Sequence, residues 1–371
     1  MKVALVVQDM CGQGIQYATA MTARMFIKRG WEVDLLVSQV HFDCVEKGQR
    51  PFELPQCVTW VRMPSRRARG NVGFLRHYLG THVLDMVIVE GMLYNKALVL
   101  ATIGRSKRTL PKLVMVTHGN TDAVTGGAWA RWIDAARQWF LYRKLSALLV
   151  VNQRSADNMR VRCRWMPNLV VANVNNACVD EVFYEKVKLP PTHPWLLKKT
   201  CPTLVAAGAY QPYKDHMTLL RAMKAVKDQG KHVRVIIFGR GPLESEYRDY
   251  ITANGLEDWV SVGGFTDRLP AELKASDGFV LSSNWESFGI VLAEGLACGV
   301  PCVATDAPYG PREILADGRY GRIVPVGDDK AMAKALIDCA HGRIPAPPDE
   351  SWKRYTIEAI AKRYFEALNV R

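Results

Sequence analysis

The chain has 371 residues, of which 49% are apolar and 23% are charged, and its formal net charge is +13. This composition is that of an ordinary folded protein and excludes intrinsic disorder, a collagen-like fibre and a small disulfide-stapled scaffold. The length predicts two domains, because a single core rarely grows beyond about 250–300 residues. No stretch reaches the roughly 18 consecutive apolar residues of a membrane span, and no cleavable signal follows Met1. We therefore expect a cytoplasmic protein.

The first half of the chain alternates short apolar runs with helix-length segments. Residues 3–7 predict a strand, residues 12–28 predict a helix that Gly30 ends, and residues 32–37 predict a second strand. Further strands are predicted at residues 58–62, 86–90, 113–118 and 148–152. Because repeated βαβ units build parallel sheets covered by helices, residues 1–186 are predicted to form a doubly wound α/β domain.

Residues 187–202 are interpreted as an inter-domain linker, since Pro190, Pro191, Pro194 and Pro202 cannot all lie inside regular elements. The alternation resumes after it. Strands are predicted at residues 203–208, 233–239, 260–263, 278–282 and 302–305, with helices at residues 217–229, 243–254, 270–275 and 290–298. Residues 203–350 are thus predicted to form a second doubly wound α/β domain, facing the first across a cleft. Residues 351–371 are predicted to carry a final amphipathic helix.

The positive charge is concentrated in the first half of the chain. Residues 1–190 carry a net charge of +12 and the remainder +1, and the basic residues cluster in residues 62–69, 105–112 and 154–164. Such clusters form either a solvated surface or a face for an anionic partner, nucleic acid or the acidic inner leaflet of a membrane. They lack the interleaved aromatics or recognition helix typical of nucleic-acid binding, so no nucleic acid partner is expected.

The nine cysteines are scattered along the chain, and only Cys298 and Cys302 are close together, at helical spacing. No group of Cys or His residues supplies the ligands of a zinc site. Reduced, packed cysteines and no bound metal are therefore expected.

The most informative segment is SNWESFGIVLAEGLACG, residues 283–299, in which seven residues separate Glu286 from Glu294. A predicted strand ends just before Glu286 and a helix begins near Gly289. At the carboxyl ends of parallel strands, the unpaired amides and positive dipole of a helix N-terminus can accept a diphosphate without a metal. Glu294, one to two turns into the helix, can accept hydrogen bonds from sugar hydroxyls.

Residues 203–327 closely resemble the nucleotide-sugar-binding domain of the retaining glycosyltransferases of family 4, which have the two-domain GT-B fold. The resembling pieces are GAYQPYKDHMTLLRA, VIIFGRGPLESE, SVGGFTDRLPAEL, ASDGFVLSSNWESFGIVLAEGLACGVPCVATD and GPREILADGRYGRIVPVGD. The E-x7-E signature is the specific element, and the N-terminal half resembles the family only loosely. The resemblance implies two Rossmann-like domains facing across a cleft, with the C-terminal helix packing back on the first.

The resemblance also implies roles for individual residues of the second domain. Glu286 would hold the donor sugar, Glu294 would bind the ribose hydroxyls, and Lys214 would stabilise the leaving diphosphate. The backbone that contacts the sugar and phosphates would be that of Ser287, Phe288, Gly289 and Ile290.

One element of the family pattern is absent, because Gly208 is followed by Ala209 where the family usually has arginine. Either Arg240, in FGRGP, supplies the second positive charge, or the diphosphate clamp is weaker. Phe265 lies in the Gly-Phe-Thr turn whose backbone in this family commonly pairs with the base.

In the first domain, Gly12 and Gly14 follow the first strand and resemble the family's glycine-rich loop near the phosphates and acceptor. A dinucleotide fingerprint would need a third glycine, but residue 17 is Tyr. His118 matches the family's donor-sugar histidine at a strand end. Asn120 and Asp122 follow it as candidate contacts for the acceptor.

The resemblance implies a retaining glycosyltransferase that moves a hexose or N-acetylhexosamine from a nucleotide-sugar, expected to be UDP-activated, to a glycan or lipid-linked acceptor in cell-surface polysaccharide or glycolipid biosynthesis. No metal or other cofactor is expected. The basic first domain is expected to contact the anionic inner face of the plasma membrane peripherally. Three alternatives stay open: a nucleotide-sugar 2-epimerase of the same fold, a non-catalytic nucleotide-sugar sensor, and a nucleic-acid-binding protein.

Overall fold

The computed structural model of the protein describes residues 1–10, 14–39, 54–119 and 128–370. The chain divides into two compact units, one formed by Met1–Ala177 with Ile357–Arg371 and the other by Cys178–Thr356. Each unit contains a parallel sheet, and among the described residues helices connect most of its successive strands. The predicted class, two doubly wound α/β domains, is confirmed.

The sheet of the first unit has the strand order β3-β2-β1-β4-β5-β6-β7 among the described residues, and all its strands are parallel. The strands are β1 Lys2–Asp9, β2 Glu32–Gln39, β3 Thr59–Arg62, β4 Met86–Glu90, β5 Lys112–Thr117, β6 Ala147–Val150 and β7 Val170–Asn173. In the centre, Leu5 of β1 pairs with Leu35 of β2 and Ile88 of β4. These strands read as continuous apolar runs because both of their faces are buried.

Among the described residues, five α-helices of the first unit connect these strands. They are α1 Ile15–Lys28, α2 Val72–Thr81, α3 Met92–Ala101, α4 Ala128–Tyr142 and α5 Gln153–Arg162. Leu98 of α3 and Leu141 of α4 join Val89 and Met115 of the sheet in one hydrophobic core. Burial of such apolar surface, at roughly 25 cal/mol per Å², holds the helices on the sheet.

The sheet of the second unit is also parallel, with the order β10-β9-β8-β11-β12-β13 among the described residues. The strands are β8 Thr203–Ala207, β9 Arg234–Phe238, β10 Val260–Gly264, β11 Gly278–Leu281, β12 Cys302–Thr305 and β13 Arg322–Val324. The helices are α6 Glu181–Val187, α7 Pro194–Leu197, α8 His216–Asp228, α9 Glu244–Ala253, α10 Leu269–Ala275, α11 Ile290–Ala297, α12 Gly310–Ile314, α13 Asp329–Ala340 and α14 Glu350–Lys353. Leu219 and Met223 of α8 share a fully buried core with Leu336 of α13.

The predicted linker, residues 187–202, differs from the structure, because it lies within the second unit. The backbone N–H and hydroxyl of Thr192 donate hydrogen bonds to the buried Glu272 carboxylate, at 2.8 and 2.5 Å. His193 caps α7, whose first residue is Pro194, a position where proline costs no hydrogen bond. The proline run therefore marks a packed segment, and the boundary between the units falls at Cys178.

The single terminal helix predicted over residues 351–371 is two helices, α14 and α15, the latter spanning Ile357–Ala367. Between them, the ring of Tyr355 packs on Phe288 at 5.3 Å and its carbonyl accepts a hydrogen bond from Cys178. This contact fixes the turn in the second unit. After the turn, α15 belongs to the first unit, where Phe365 packs on Phe26 of α1 at 5.1 Å.

Within the described ranges, no helix combines the length and apolar character needed to cross a membrane.

Candidate active site

Two loops of the second unit follow the strands between which its strand order reverses. β8 and β11 are neighbours, and the chain continues from β8 towards β9 and β10 but from β11 towards β12 and β13. The loops after these strands, residues 208–215 and 282–289, therefore both lie at the carboxyl edge of the sheet, next to each other. In open parallel sheets, ligands bind at such a reversal.

Lys214 and Glu286 form a buried ion pair between these two loops. The Nζ of Lys214 contacts the Oε1 of Glu286, and the Ser283 hydroxyl donates a hydrogen bond to the same oxygen at 2.9 Å. The side chains of Lys214 and Glu286 are 16% and 8% exposed. The structure therefore brings these two predicted site residues together as an ion pair.

Further hydrogen bonds connect the two loops. The Ser282 hydroxyl donates to the carbonyl of Lys214 at 3.0 Å, and the backbone N–H of Asn284 donates to the carbonyl of Tyr213 at 3.0 Å. Groups fixed before a ligand binds cost little reorganisation when charge develops on that ligand. The loops thus hold the ion pair in a preformed arrangement.

His216, at the start of α8, lies in the core beside the ion pair. It is fully buried between the rings of Tyr210 and Tyr247, with centroid distances of 5.9 and 5.8 Å. Burial, with a smaller contribution from Lys214, lowers the pKa of its imidazole to about 3. His216 is therefore neutral and adds no positive charge to the site at physiological pH.

The N-terminus of α11 follows directly on Glu286. Gly289 caps this helix with φ of +104°, a conformation that favours glycine, and as a glycine it offers no side chain to cap the first-turn amides. The preceding Phe288 is buried against Tyr355, and its carbonyl lies so close to Gly310 that a Cβ there would be 1.7 Å from the oxygen. Backbone packing therefore fixes the turn, leaving a helix N-terminus of the kind that binds phosphate. Ser287 and Ile290 are half-buried on either side of it.

Glu294, the second acid of the E-x7-E segment, is buried within α11 and 7% exposed. Burial is the main reason that its pKa is raised to about 8; nearby Asp180 raises it further and Lys186 lowers it. Its side chain makes no hydrogen bond with the described residues. The carboxyl group is therefore largely protonated at pH 7, and a ligand that donates hydrogen bonds would favour its charged form.

Arg240 and Phe265 lie side by side at the carboxyl edge of the same sheet, after β9 and β10. The Arg240 guanidinium lies 4.9 Å from the centroid of the Phe265 ring, and both side chains are exposed. Gly239 packs on the backbone of Gly208, so the loop after β9 is held close to the loop after β8. Arg240 forms no ion pair with the described residues, and its charge is available at this edge.

In the first unit, His118 follows β5 and lies next to Glu90, the last residue of β4. The His118 Nε2 is 2.8 Å from the Glu90 Oε2, and both residues are buried, with exposures of 8% and 6%. They line a small cavity of about 10 Å³, room for a single water. The sequence patterns do not single out Glu90, although an acid ending an apolar strand was a usable signal. A carboxylate in this position orients the imidazole ring.

Gly14 lies at the N-terminus of α1 with φ of +81°, which favours glycine. Gly12, Asn120 and Asp122, the other predicted residues of the first unit, lie outside the described residues.

The structure contains no cluster of three or more His, Cys, Asp or Glu side chains arranged to hold a metal ion, as far as the described part of the chain shows. The cysteines in that part of the chain are free thiols. Burial raises the pKa of Cys298 to about 12, so its thiol is protonated and unreactive.

Residues 193–359, most of the second unit, match the sequence family described as Glycosyl transferases group 1. The chain is 34% identical over 170 residues to a phosphatidyl-myo-inositol mannosyltransferase of Mycobacterium leprae, a match covering 43% of this chain and 44% of the relative. It is 30% identical over 133 residues, 36% of each chain, to the N-acetylgalactosamine-N,N'-diacetylbacillosaminyl-diphospho-undecaprenol 4-alpha-N-acetylgalactosaminyltransferase of Campylobacter jejuni. The chain thus spans less than half the length of these curated relatives. The second unit contains a glycosyltransferase domain.

The solved structure of the pneumococcal O-GlcNAc transferase GtfA in complex with UDP and GlcNAc is similar over the whole chain. The TM-score is 0.72, the identity is 14%, and the similarity covers 100% of this chain and 98% of the other. At this identity the comparison shows the fold alone. The predicted GT-B fold is confirmed.

Proposed function

We propose that the protein is a retaining glycosyltransferase that moves a hexose or N-acetylhexosamine from a UDP-sugar to a glycan or lipid-linked acceptor in surface polysaccharide or glycolipid biosynthesis. The observation that carries the proposal is the Lys214–Glu286 pair beside the α11 N-terminus, at the reversal of a sheet in a glycosyltransferase domain. The UDP complex of GtfA supports the donor class. The phosphatidyl and diphospho-undecaprenol acceptors in the names of the two relatives support a lipid-linked acceptor.

In the proposed reaction, the bond between the sugar C1 and the diphosphate oxygen breaks, and the acceptor oxygen bonds to C1 on the same face. The acceptor proton passes to the departing diphosphate oxygen, so no nucleophile of the enzyme is required. Lys214, Arg240 and the α11 amides stabilise the charge that develops on the diphosphate. Because these fixed positive groups can neutralise the diphosphate, we propose that catalysis requires no metal. Glu286 and His118 hold hydroxyls of the donor sugar.

We assign the ribose hydroxyls to Glu294 and the base to the backbone around Phe265. Hydrogen bonds donated by the ribose would favour the Glu294 carboxylate over its protonated form. The Arg240 guanidinium lies 4.9 Å from the Phe265 ring, so the positive charge proposed for the diphosphate lies next to the position proposed for the base.

The first unit is proposed to rest on the anionic inner face of the plasma membrane through α4. Trp129 and Trp132, 71% and 62% exposed, stack on this helix at 5.3 Å, and Ile133 and Trp139 are each 48% exposed beside them. The Arg143 guanidinium lies 4.8 Å from the Trp139 ring. Tryptophan and basic residues on one amphipathic helix are typical of a membrane interface.

The donor assignment is tested by thermal shift of the full chain with UDP, GDP, ADP and NAD, without added metal. A ligand at 100 times its Kd stabilises by about 2.7 kcal/mol. Stabilisation by UDP that Glu294→Ala abolishes and the exposed Glu257→Ala retains is expected. Response to NAD alone, or to none of the four, would refute the donor assignment.

The reaction class is tested by NMR of UDP-sugars incubated with the protein. We expect slow release of UDP with a sugar that first appears in the anomeric configuration of the donor. An isomerised UDP-sugar without UDP release would identify an epimerase, and binding without turnover would identify a sensor. For the membrane face, sedimentation with phosphatidylserine vesicles should fall in Trp129→Ser/Trp132→Ser but not in the control Trp165→Ser; retention by the double variant would exclude α4.

A further inference from the structure

A basic cavity of about 380 Å³ opens in the first unit, apart from the residues assigned above. Arg66, Arg67 and Arg69 line one side, and Lys96 of α3 lines another. All four side chains are exposed at the cavity. None of the four forms an ion pair with the described residues, so four positively charged side chains lie close together around this cavity.

The cavity lies at the reversal of strand order in the first sheet. β1 and β4 are neighbours there, with β2 and β3 on one side and β5 to β7 on the other. Gln8, near the carboxyl end of β1, contributes to the lining, and α3 begins directly after β4. This is the position where an open parallel sheet binds its ligand. His118, after β5, lies at the same edge of the same sheet.

The turn that carries the arginines is fixed from below by Asn71, which is fully buried. Its side-chain oxygen accepts a hydrogen bond from the Ser65 backbone N–H at 2.9 Å, and its Nδ2 donates to the Ser65 carbonyl at 2.7 Å. Nδ2 also lies 3.3 Å from the hydroxyl of the buried Tyr94 on α3. The arginine turn and α3 therefore form one connected support, and the cavity between them is a built feature.

The lining of the cavity has a basic part and an apolar part. Guanidinium groups bind phosphate oxygens in pairs of parallel hydrogen bonds, and clustered cations without acidic partners are stabilised by a bound anion. On α3, Leu93, Ala97 and Leu100 line the same cavity at spacings of one and two helical turns, and Leu93 is 66% exposed. A water-exposed leucine beside cations fits a ligand with a hydrocarbon part next to its phosphate.

We propose that this cavity binds the phosphate group of a lipid phosphate acceptor, with the start of its hydrocarbon chain along α3. The assignment rests on the proposed function, since it names the acceptor class of that same reaction. Arg66, Arg67, Arg69 and Lys96 hold the phosphate, and Leu93 and Leu100 contact the chain.

The proposal is tested with the full chain and decyl phosphate below its micelle concentration, by titration calorimetry. Arg66→Ala/Arg69→Ala removes two charges from the cavity, and Arg76→Ala/Arg108→Ala removes two exposed charges from the same unit outside it. We expect saturable binding to the unchanged protein, at least tenfold weaker binding to the cavity variant, and a change below twofold in the control. Leu93→Ser should weaken decyl phosphate binding but leave inorganic phosphate binding unchanged.

Equal affinities of the two double variants would overturn the site. Inorganic phosphate that binds as tightly as decyl phosphate would overturn the lipid assignment. UDP binding is measured on the same proteins and is expected to be equal in all of them. If the unchanged protein neither binds UDP nor releases UDP from a UDP-sugar, the proposed function is refuted. If it does both but shows no cavity-dependent binding of decyl phosphate, only this inference is refuted.

Discussion

Replacing Glu294 with glutamine is expected to stabilise the second unit, by an amount that depends on pH. The folded protein holds this carboxyl group in a buried position, where its pKa is about 8 instead of the ordinary 4.5. The folded state therefore retains a proton that the unfolded chain releases between these two pH values. The unfolded state binds fewer protons over this range, so the folded state loses stability as pH rises from 4.5 to 8.

The size of the effect follows from the two pKa values. Between these two pKa values, each pH unit changes the unfolding equilibrium constant by up to a factor of ten. Summed from pH 4.5 to pH 7, the loss of unfolding free energy is about 3 kcal/mol. Glutamine has the same shape and no titration, so the wild-type and Glu294→Gln curves should meet near pH 4.5 and diverge above it. Urea unfolding at pH 5, 6, 7 and 8, read by hydrogen exchange of the α11 amides, isolates the second unit.

The exposed Glu257→Gln variant controls for the loss of one carboxylate in the same unit. It should follow the wild-type curve at every pH. Parallel curves for wild type and Glu294→Gln from pH 5 to 8 would show that the folded protein accommodates the Glu294 carboxylate without cost, and would refute the argument from burial.

Three further predictions concern the same unit. Lys214→Met should destabilise it by about 3 kcal/mol in urea unfolding, because Glu286 would lose its buried partner. Lys214→Met/Glu286→Gln should recover most of that stability without recovering UDP affinity, and a double variant no more stable than Lys214→Met would contradict this. Gly310→Ala should lower the free energy of unfolding by about 1–3 kcal/mol, because the added Cβ would overlap the Phe288 carbonyl. The control Gly73→Ala has free space around its Cβ and should not lower it. Equal melting temperatures of the two variants would contradict this prediction. UDP binding at pH 7 should release protons from Glu294, so calorimetric enthalpies should differ between phosphate and Tris buffers in wild type and agree in Glu294→Gln.

The alternation of apolar runs and helical segments was enough to predict two parallel α/β domains, because strands buried on both faces must be continuously apolar. It did not predict β7 and β13, edge strands of four and three residues. It also placed the domain boundary at residue 187 instead of Cys178. The prolines of residues 187–202 carry the same local signal in a linker as in a packed segment, and only the hydrogen bonds to Glu272 distinguish the two.

The candidate site likewise combines features that the sequence predicted with features that only the structure shows. The sequence by itself determined that Glu286, Gly289 and Glu294 follow a strand and open a helix, because those residues are neighbours along the chain. Only the tertiary structure decided that Lys214 lies against Glu286, since the adjacency of β8 and β11 brings together residues that are 72 positions apart. The same holds for His118 and Glu90, 28 positions apart, and for the arginine turn beside α3. Local patterns report what a segment can form, whereas sheet order decides which segments meet.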